Sequence, residues 1–153
     1  MTTVSAEILI DMPRSAAWSR LEDLRLAQRY VPGVTRIEIT TPQDRGLGAS
    51  RKVFTEKRPP LDETVTEWVE GHGFTVRVHD GDKPSPPFRQ FHFRYWLDDA
   101  ADGRTRITTT MIYELPGGIA GRVLDALVMR RAMARMAGRI TRNMKQVYEG
   151  ASH

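Results

Sequence analysis

Residues 119–149 hold no proline, and across them apolar side chains return at steps of three and four: Ile119, Val123, Ala126, Met129, Met133, Met136, Ile140, Met144 and Val147. That period places them on one continuous face of a helix. At about 1.5 Å per residue the helix reaches roughly 45 Å, longer than a small sheet is wide. The rest of the chain must therefore supply an extended apolar surface for this rod.

What precedes it has a period of two. A first strand is expected near residues 4–12, where Ile8, Ile10 and Met12 alternate with Glu7, Leu9 and Asp11, and Pro13 stops it. Ser15 can cap a helix running to about Leu24, with Trp18 and Leu21 on its apolar side. A second short helix near 25–31 ends at Val31-Pro32-Gly33, because proline disfavours helix in the residue before it. Six further strands are expected at 34–41, 48–57, 61–70, 73–79, 89–98 and 104–115, separated by Gly-, Pro- and Asp-rich turns. Separators this short imply an antiparallel meander. In the last three strands one face is apolar: Phe74, Val76, Val78; Phe91, Phe93, Tyr95, Leu97; Ile107, Thr109, Met111, Tyr113. For strands 48–57 and 61–70 the pattern does not choose a face.

The expected architecture is therefore α+β: a curved seven-stranded antiparallel sheet, in the order strand, two helices, six strands, wrapped around one long C-terminal helix. A length of 153 residues with 40% hydrophobic content predicts one domain, 1–153, with an ordered core over about 4–149. A straight helix laid across a curled sheet meets it better at its ends than in its middle. The middle can enclose a cavity, lined by Met129, Met133 and Met136 against Phe74, Phe93, Tyr95, Met111 and Tyr113. Unbranched, polarizable methionine suits a deformable apolar pocket, although a plainly filled core has the same pattern.

There are no cysteines, which removes disulfide frameworks, thiolate metal sites and cysteine nucleophiles. The N-terminus MTTVSAEILIDMP lacks a basic region and carries Glu7 and Asp11 in its apolar stretch, so a cytoplasmic location is the expectation. The net charge of +4 is unevenly placed. Residues 122–149 hold seven Lys and Arg against Asp125 and Glu149, while the remainder is nearly balanced. Arg131, Arg135, Arg139 and Arg142 fall opposite the apolar face of the helix. They form either an ordinary solvated stripe or a surface for nucleic acid or an anionic membrane.

In this order of elements the chain resembles the helix-grip fold of the START-like superfamily (SRPBCC proteins), which includes the birch-pollen allergens and the polyketide cyclase/dehydrase group. The resemblance spans residues 4–149. It rests on Ala6-Glu7-Ile8-Leu9-Ile10-Asp11-Met12-Pro13, Ala17-Trp18, Leu24, Tyr30-Val31-Pro32-Gly33-Val34, Gly46-Leu47-Gly48 and the long terminal helix. It implies a deep apolar pocket between sheet and helix, holding a lipid, hormone, quinone or polyketide. Some members of the superfamily are cyclases, dehydratases or hydrolases, so fold alone does not decide function.

The residues for chemistry are sparse. His72, His79, His92 and His153 show no metal-ligand spacing, and no nucleophile elbow, P-loop or dinucleotide fingerprint occurs, so no metal and no cofactor are expected. His79 ends a strand beside the Asp80–Pro87 run, where it can guard a pocket mouth. Tyr95 and Tyr113 are candidate donors to a carbonyl or enolate oxygen. Glu67 or Arg51 joins them if its strand turns it inward, with Glu67 as a base. Pro84-Ser85-Pro86-Pro87-Phe88-Arg89 fits either a stiff loop at the cavity mouth or a proline-rich ligand for SH3-like domains. The leading expectation is a pocket for one hydrophobic small molecule. The alternatives are a cyclase, aromatase or dehydratase on the same scaffold, and an interaction protein using the basic stripe.

Overall fold

A computed structural model describes residues 1–150. His153, one of the four histidines considered above, lies outside the described residues. The chain runs through β1 (Thr2–Ile10), α1 (Arg14–Leu21), α2 (Ala27–Tyr30), β2 (Val34–Ile39), β3 (Ser50–Thr55), β4 (Leu61–Val69), β5 (Gly73–Asp80), β6 (Lys83–Pro84), β7 (Gln90–Asp99), β8 (Thr105–Glu114), α3 (Gly118–Leu124) and α4 (Arg130–Gly150). A π-helical turn over Asp125–Met129 joins α3 to α4 without a break.

The strands form one antiparallel sheet in the order β1-β8-β7-β5-β4-β3-β2, with β6 paired only to β5. The eighth strand is a correction to the expected seven: the Asp80–Pro87 run folds back far enough for His79 to pair with Pro84 and Asp80 with Lys83. Two smaller corrections concern the first helix. Pro13, not Ser15, is its N-cap residue, and the helix ends at Leu21 rather than near Leu24.

The apolar faces expected for β5, β7 and β8 do point to one side, in register. Phe74 stands opposite Tyr95, Phe93 opposite Met111, and Leu97 opposite Ile107. Strand β4 carries a bulge between Val65 and Glu67. Leu61, Glu63 and Val65 share a face before it, and Trp68, opposite Phe74, takes up that face after it. A period of two broken in mid-strand explains why the pattern could not choose a face. Gly73 shows how tightly the sheet turns there, since a Cβ at that position would lie 2.0 Å from the Tyr95 carbonyl oxygen.

The terminal helix runs along β1 and is tied at both ends. Near its start the Thr2 hydroxyl donates to the Asp125 carboxylate at 2.6 Å. Near its finish Lys145 Nζ donates to the Leu9 carbonyl at 3.2 Å, and the Asp11 amide donates to Glu149 at 2.9 Å. Asn143 adds a bond of 3.0 Å to the Tyr30 carbonyl, pinning α2 against α4. Between these ties Ile140, Met144 and Tyr148 are fully buried in the same core as Leu97, Ile107 and Met111. Each such apolar side chain contributes about 1.5–3 kcal/mol of burial.

One element departs from its expected orientation. The three-and-four repeat assigns Ile119, Val123 and Ala126 to the inward face, yet all three are exposed, and Gly121 and Asp125 point inward instead. The π turn is the cause. It places an extra residue in one turn and so shifts the helical phase between Leu124 and Arg130. Downstream of it, Met133, Met136, Ile140 and Met144 keep the expected face.

Candidate functional site

The interior is divided by a buried polar layer. Arg51, only 2% exposed, projects inward from β3. Its Nε and Nη2 donate to the same oxygen of Glu63 at 2.9 and 2.7 Å, and its Nη1 donates to the Leu24 carbonyl at 2.6 Å. The guanidinium also meets the Tyr95 hydroxyl. Burial works against its charge, but the Glu63 carboxylate outweighs burial and holds its pKa above the ordinary value. Tyr30 packs edge-on against both Tyr95 and Tyr148, with ring centroids 6.1 and 6.2 Å apart, and its hydroxyl is hydrogen-bonded to that of Tyr148. Burial pushes the Tyr30 phenol up to about 12 and raises Tyr95 and Tyr148 well above their ordinary value. All three therefore stay protonated at neutral pH.

On one side of this layer the sheet and α4 bury Leu97, Ile107, Met111, Ile140 and Met144 fully. On the other, a cleft of about 420 Å³ lies between the β3–β4 loop, strands β4, β5 and β7, and the loop before β7. Leu61, Val78, Phe91 and Phe93 give it apolar walls, Phe88 and Pro86 border its mouth, and Glu63 is the carboxylate facing in from β4. Glu63 uses one oxygen for both Arg51 bonds, leaving the other as an acceptor. A second cleft, of about 600 Å³, separates Met136 on α4 from Pro32–Thr35 and Thr55–Arg58. Arg58 borders both clefts. An aromatic row runs from the first cleft into the core: Phe88 to Phe91 at 4.5 Å, Phe91 to Phe93 at 4.9 Å, and Phe93 to Tyr95 at 6.3 Å.

A third recess, of about 240 Å³, is polar and sits where α3 begins, bordered by Thr2, Arg89, Glu114 and Asp125. Asp125 is buried there beneath the Tyr113 hydroxyl, which donates a hydrogen bond to it. Burial would raise the Asp125 carboxyl, but the bonds from Thr2 and Tyr113 and the nearby Arg130 outweigh it and hold it below its ordinary value. Burial and the adjacent carboxylate together push the Tyr113 phenol up.

Of the two β-strand residues whose facing the sequence left open, Arg51 turns inward and Glu67 does not. The β4 bulge turns Glu67 onto the outer face, where it accepts from Thr75 at 3.0 Å and pairs with Arg94 at 3.3 Å. His79 is also on the outer side of the sheet. Its Nδ1 donates to the Gly81 carbonyl and its Nε2 accepts from Thr64, each at 2.8 Å. Phe74, Tyr95, Met111 and Tyr113 are closed into the core. Phe93 borders the smaller cleft and Met136 the larger, and Met129 and Met133 are half-buried on the same stretch of helix. Arg131, Arg135, Arg139 and Arg142 are exposed.

Sequence reasoning missed Glu63, Asp125, Tyr30 and Tyr148 as interior polar groups. Tyr30 opens the Tyr30–Val34 motif, and Leu61-Asp62-Glu63-Thr64-Val65 alternates correctly once the bulge is known. Nothing in the sequence marks Asp125, because the π turn that buries it leaves no pattern of its own. Among the described residues no group of three or more acidic or histidine side chains is placed to hold a metal ion.

Residues 1–149 match the family model described as polyketide cyclase / dehydrase and lipid transport. No curated protein matches in sequence. Among solved structures, the protein TTHA0849 from Thermus thermophilus superposes with a TM-score of 0.75 at 18% identity, covering 99% of this chain and 100% of that one. The protein Ara h 8.0201 gives 0.70 at 18% identity, covering 97% and 98%. A protein from Thermobifida fusca gives 0.69 at 16% identity, covering 95% of each chain. At these identities the likeness is one of fold.

Proposed function

The chain belongs to the polyketide cyclase/dehydrase and lipid transport family, and on that premise we propose that it binds one hydrophobic small molecule in the open half of its interior. The observation that carries this reading is the asymmetry of the bowl. Aromatic and aliphatic side chains of β4, β5 and β7 stand around unfilled space, while the same strands are solidly packed further along. A pocket that is mostly apolar with a few placed polar groups is the usual form of a small-molecule site. Here the Glu63 carboxylate, braced by Arg51, is the placed group, and it selects a guest carrying a hydrogen-bond donor on an otherwise apolar frame. A lipid, a quinol or an aromatic polyketide-like compound has that character.

A second reading, an enzyme of the cyclase or dehydratase type, is favoured by that same carboxylate, because a fixed acceptor beside a bound carbon skeleton can also remove a proton. The two readings divide on Glu63→Gln. In a carrier the substitution weakens binding; in an enzyme it abolishes turnover of a bound compound.

The binding site itself is tested by fluorescence titration with anilinonaphthalene sulfonate, an apolar aromatic probe. Saturable binding is expected, weakened at least about tenfold by Phe93→Asp. Binding unchanged by Phe93→Asp, with the variant folded by circular dichroism, contradicts the site.

A further inference from the structure

Among the described residues, the large apolar side chains that stand in solvent are concentrated in one short segment. Ile119, Val123, Leu124, Leu127 and Val128 are 77%, 52%, 52%, 67% and 57% exposed. They form two neighbouring rows along α3 and the π turn, Ile119-Val123-Leu127 and Ala120-Leu124-Val128. This is the face that the π turn rotates outward, so the exposure is built into the helix and is not the fraying of an end. The next turns of the same helix add Arg130, Arg131 and Arg135, all exposed.

Along the helix itself the exposed charge has one sign through Tyr148, although Glu114 of β8 borders the recess beside Gly118 and Arg122. Between Gly118 and Tyr148 the only acidic residue is Asp125, and it is buried under Thr2 and Tyr113. Arg130 approaches Asp125 at 3.4 Å, while Arg122, Arg131, Arg135, Arg139 and Arg142 take part in no ion pair among the described residues. The surface is thus an apolar wedge continued by a cationic strip on one rigid helix. We infer that it docks on an anionic lipid bilayer, with the Ile119–Val128 side chains entering the headgroup layer and Arg130, Arg131 and Arg135 meeting lipid phosphates. No helix among the described residues is long and apolar enough to cross a membrane, so the contact is interfacial. A second copy fits less well, since facing patches bring the arginines of each copy toward one another. Nucleic acid would use the arginines but leaves the five apolar side chains unexplained.

Flotation with vesicles tests this, using phosphatidylcholine alone or with about 30% phosphatidylserine. Binding is expected only to the mixed vesicles and is expected to fall as salt is raised. Leu127→Asp with Val128→Asp, and separately Arg131→Glu with Arg135→Glu, should each lower the bound fraction at least about tenfold. These side chains are exposed, so the fold survives, and probe binding at Phe93 serves as the control. No binding of the native protein to mixed vesicles overturns the inference. Full retention by the Leu127/Val128 variant overturns it too, as does a native protein that is dimeric in solution and made monomeric by that variant.

Discussion

The two ends of the terminal helix meet the same sheet in different ways. From Ile140 to Tyr148 the helix is sunk between α2, β1 and β8, and its inward side chains are fully buried. From Met129 to Met136 the inward methionines are only half-buried, and Met136 borders the cleft toward Pro32–Thr35 and Thr55–Arg58. Both stretches obey the same three-and-four repeat, so periodicity does not distinguish them. What does is the partner: β1, β8 and α2 approach one stretch, and the β2–β3 edge leaves a gap before the other. The same rod is thus a structural keel at one end and borders an open cleft at the other.

The sharpest way to break this contrast is at the polar layer between the two regions. Arg51→Ala leaves Glu63 without its partner and should cost about 3–5 kcal/mol, lowering the thermal midpoint by about 10 °C. A loss below about 1 kcal/mol means that Glu63 already reaches bulk water and that no dividing layer exists. Next in size are truncations of the helix. Ile140→Ala should cost about 2–5 kcal/mol in denaturant unfolding. Met136→Ala, at the gap, should cost about 1 kcal/mol or less. Equal costs would erase the distinction between the ends.

Acid should act on the ties at both ends of the helix. Hydrogen bonding from Lys145, and then the Asp11 amide, outweighs burial and lowers Glu149, and Asp125 is lowered as described above. A carboxyl depressed in the folded state stabilises it above the unfolded value and loses that contribution as pH falls through the folded value. Stability should therefore hold steady at neutral pH and drop below the ordinary carboxylate range, and Asp125→Asn should make that drop shallower. A drop of unchanged slope in Asp125→Asn would remove this tie from the comparison. The smallest effects belong to the outer face: Glu67→Gln and His79→Gln should change stability by about 0.5 kcal/mol or less and leave probe binding intact.

Much of the fold was legible because β5, β7 and β8 alternate without interruption and the final helix repeats without proline. Two local irregularities hid the remainder. The bulge in β4 exchanged Glu67 for Trp68 on the inner face, and the π turn exchanged Ile119 and Val123 for Gly121 and Asp125. Each inserts one residue into a regular period, and a sequence pattern carries no mark of where a backbone accepts an insertion. The expected pocket lining suffered for a related reason. Periodicity tells which face a side chain is on but not how far along the bowl the opposing layer stands off, so Met111 and Met136 looked alike.

Methyl-labelled methionine NMR reads that difference directly, since Met111 and Met144 report the closed region while Met129, Met133 and Met136 report the open one. On titration with anilinonaphthalene sulfonate, the Met136 methyl should shift with saturation, with Met133 or Met129 following, while Met111 and Met144 stay in place. Immobile signals at all five, or equal movement of Met111 and Met144, would contradict a ligand site confined to the open half.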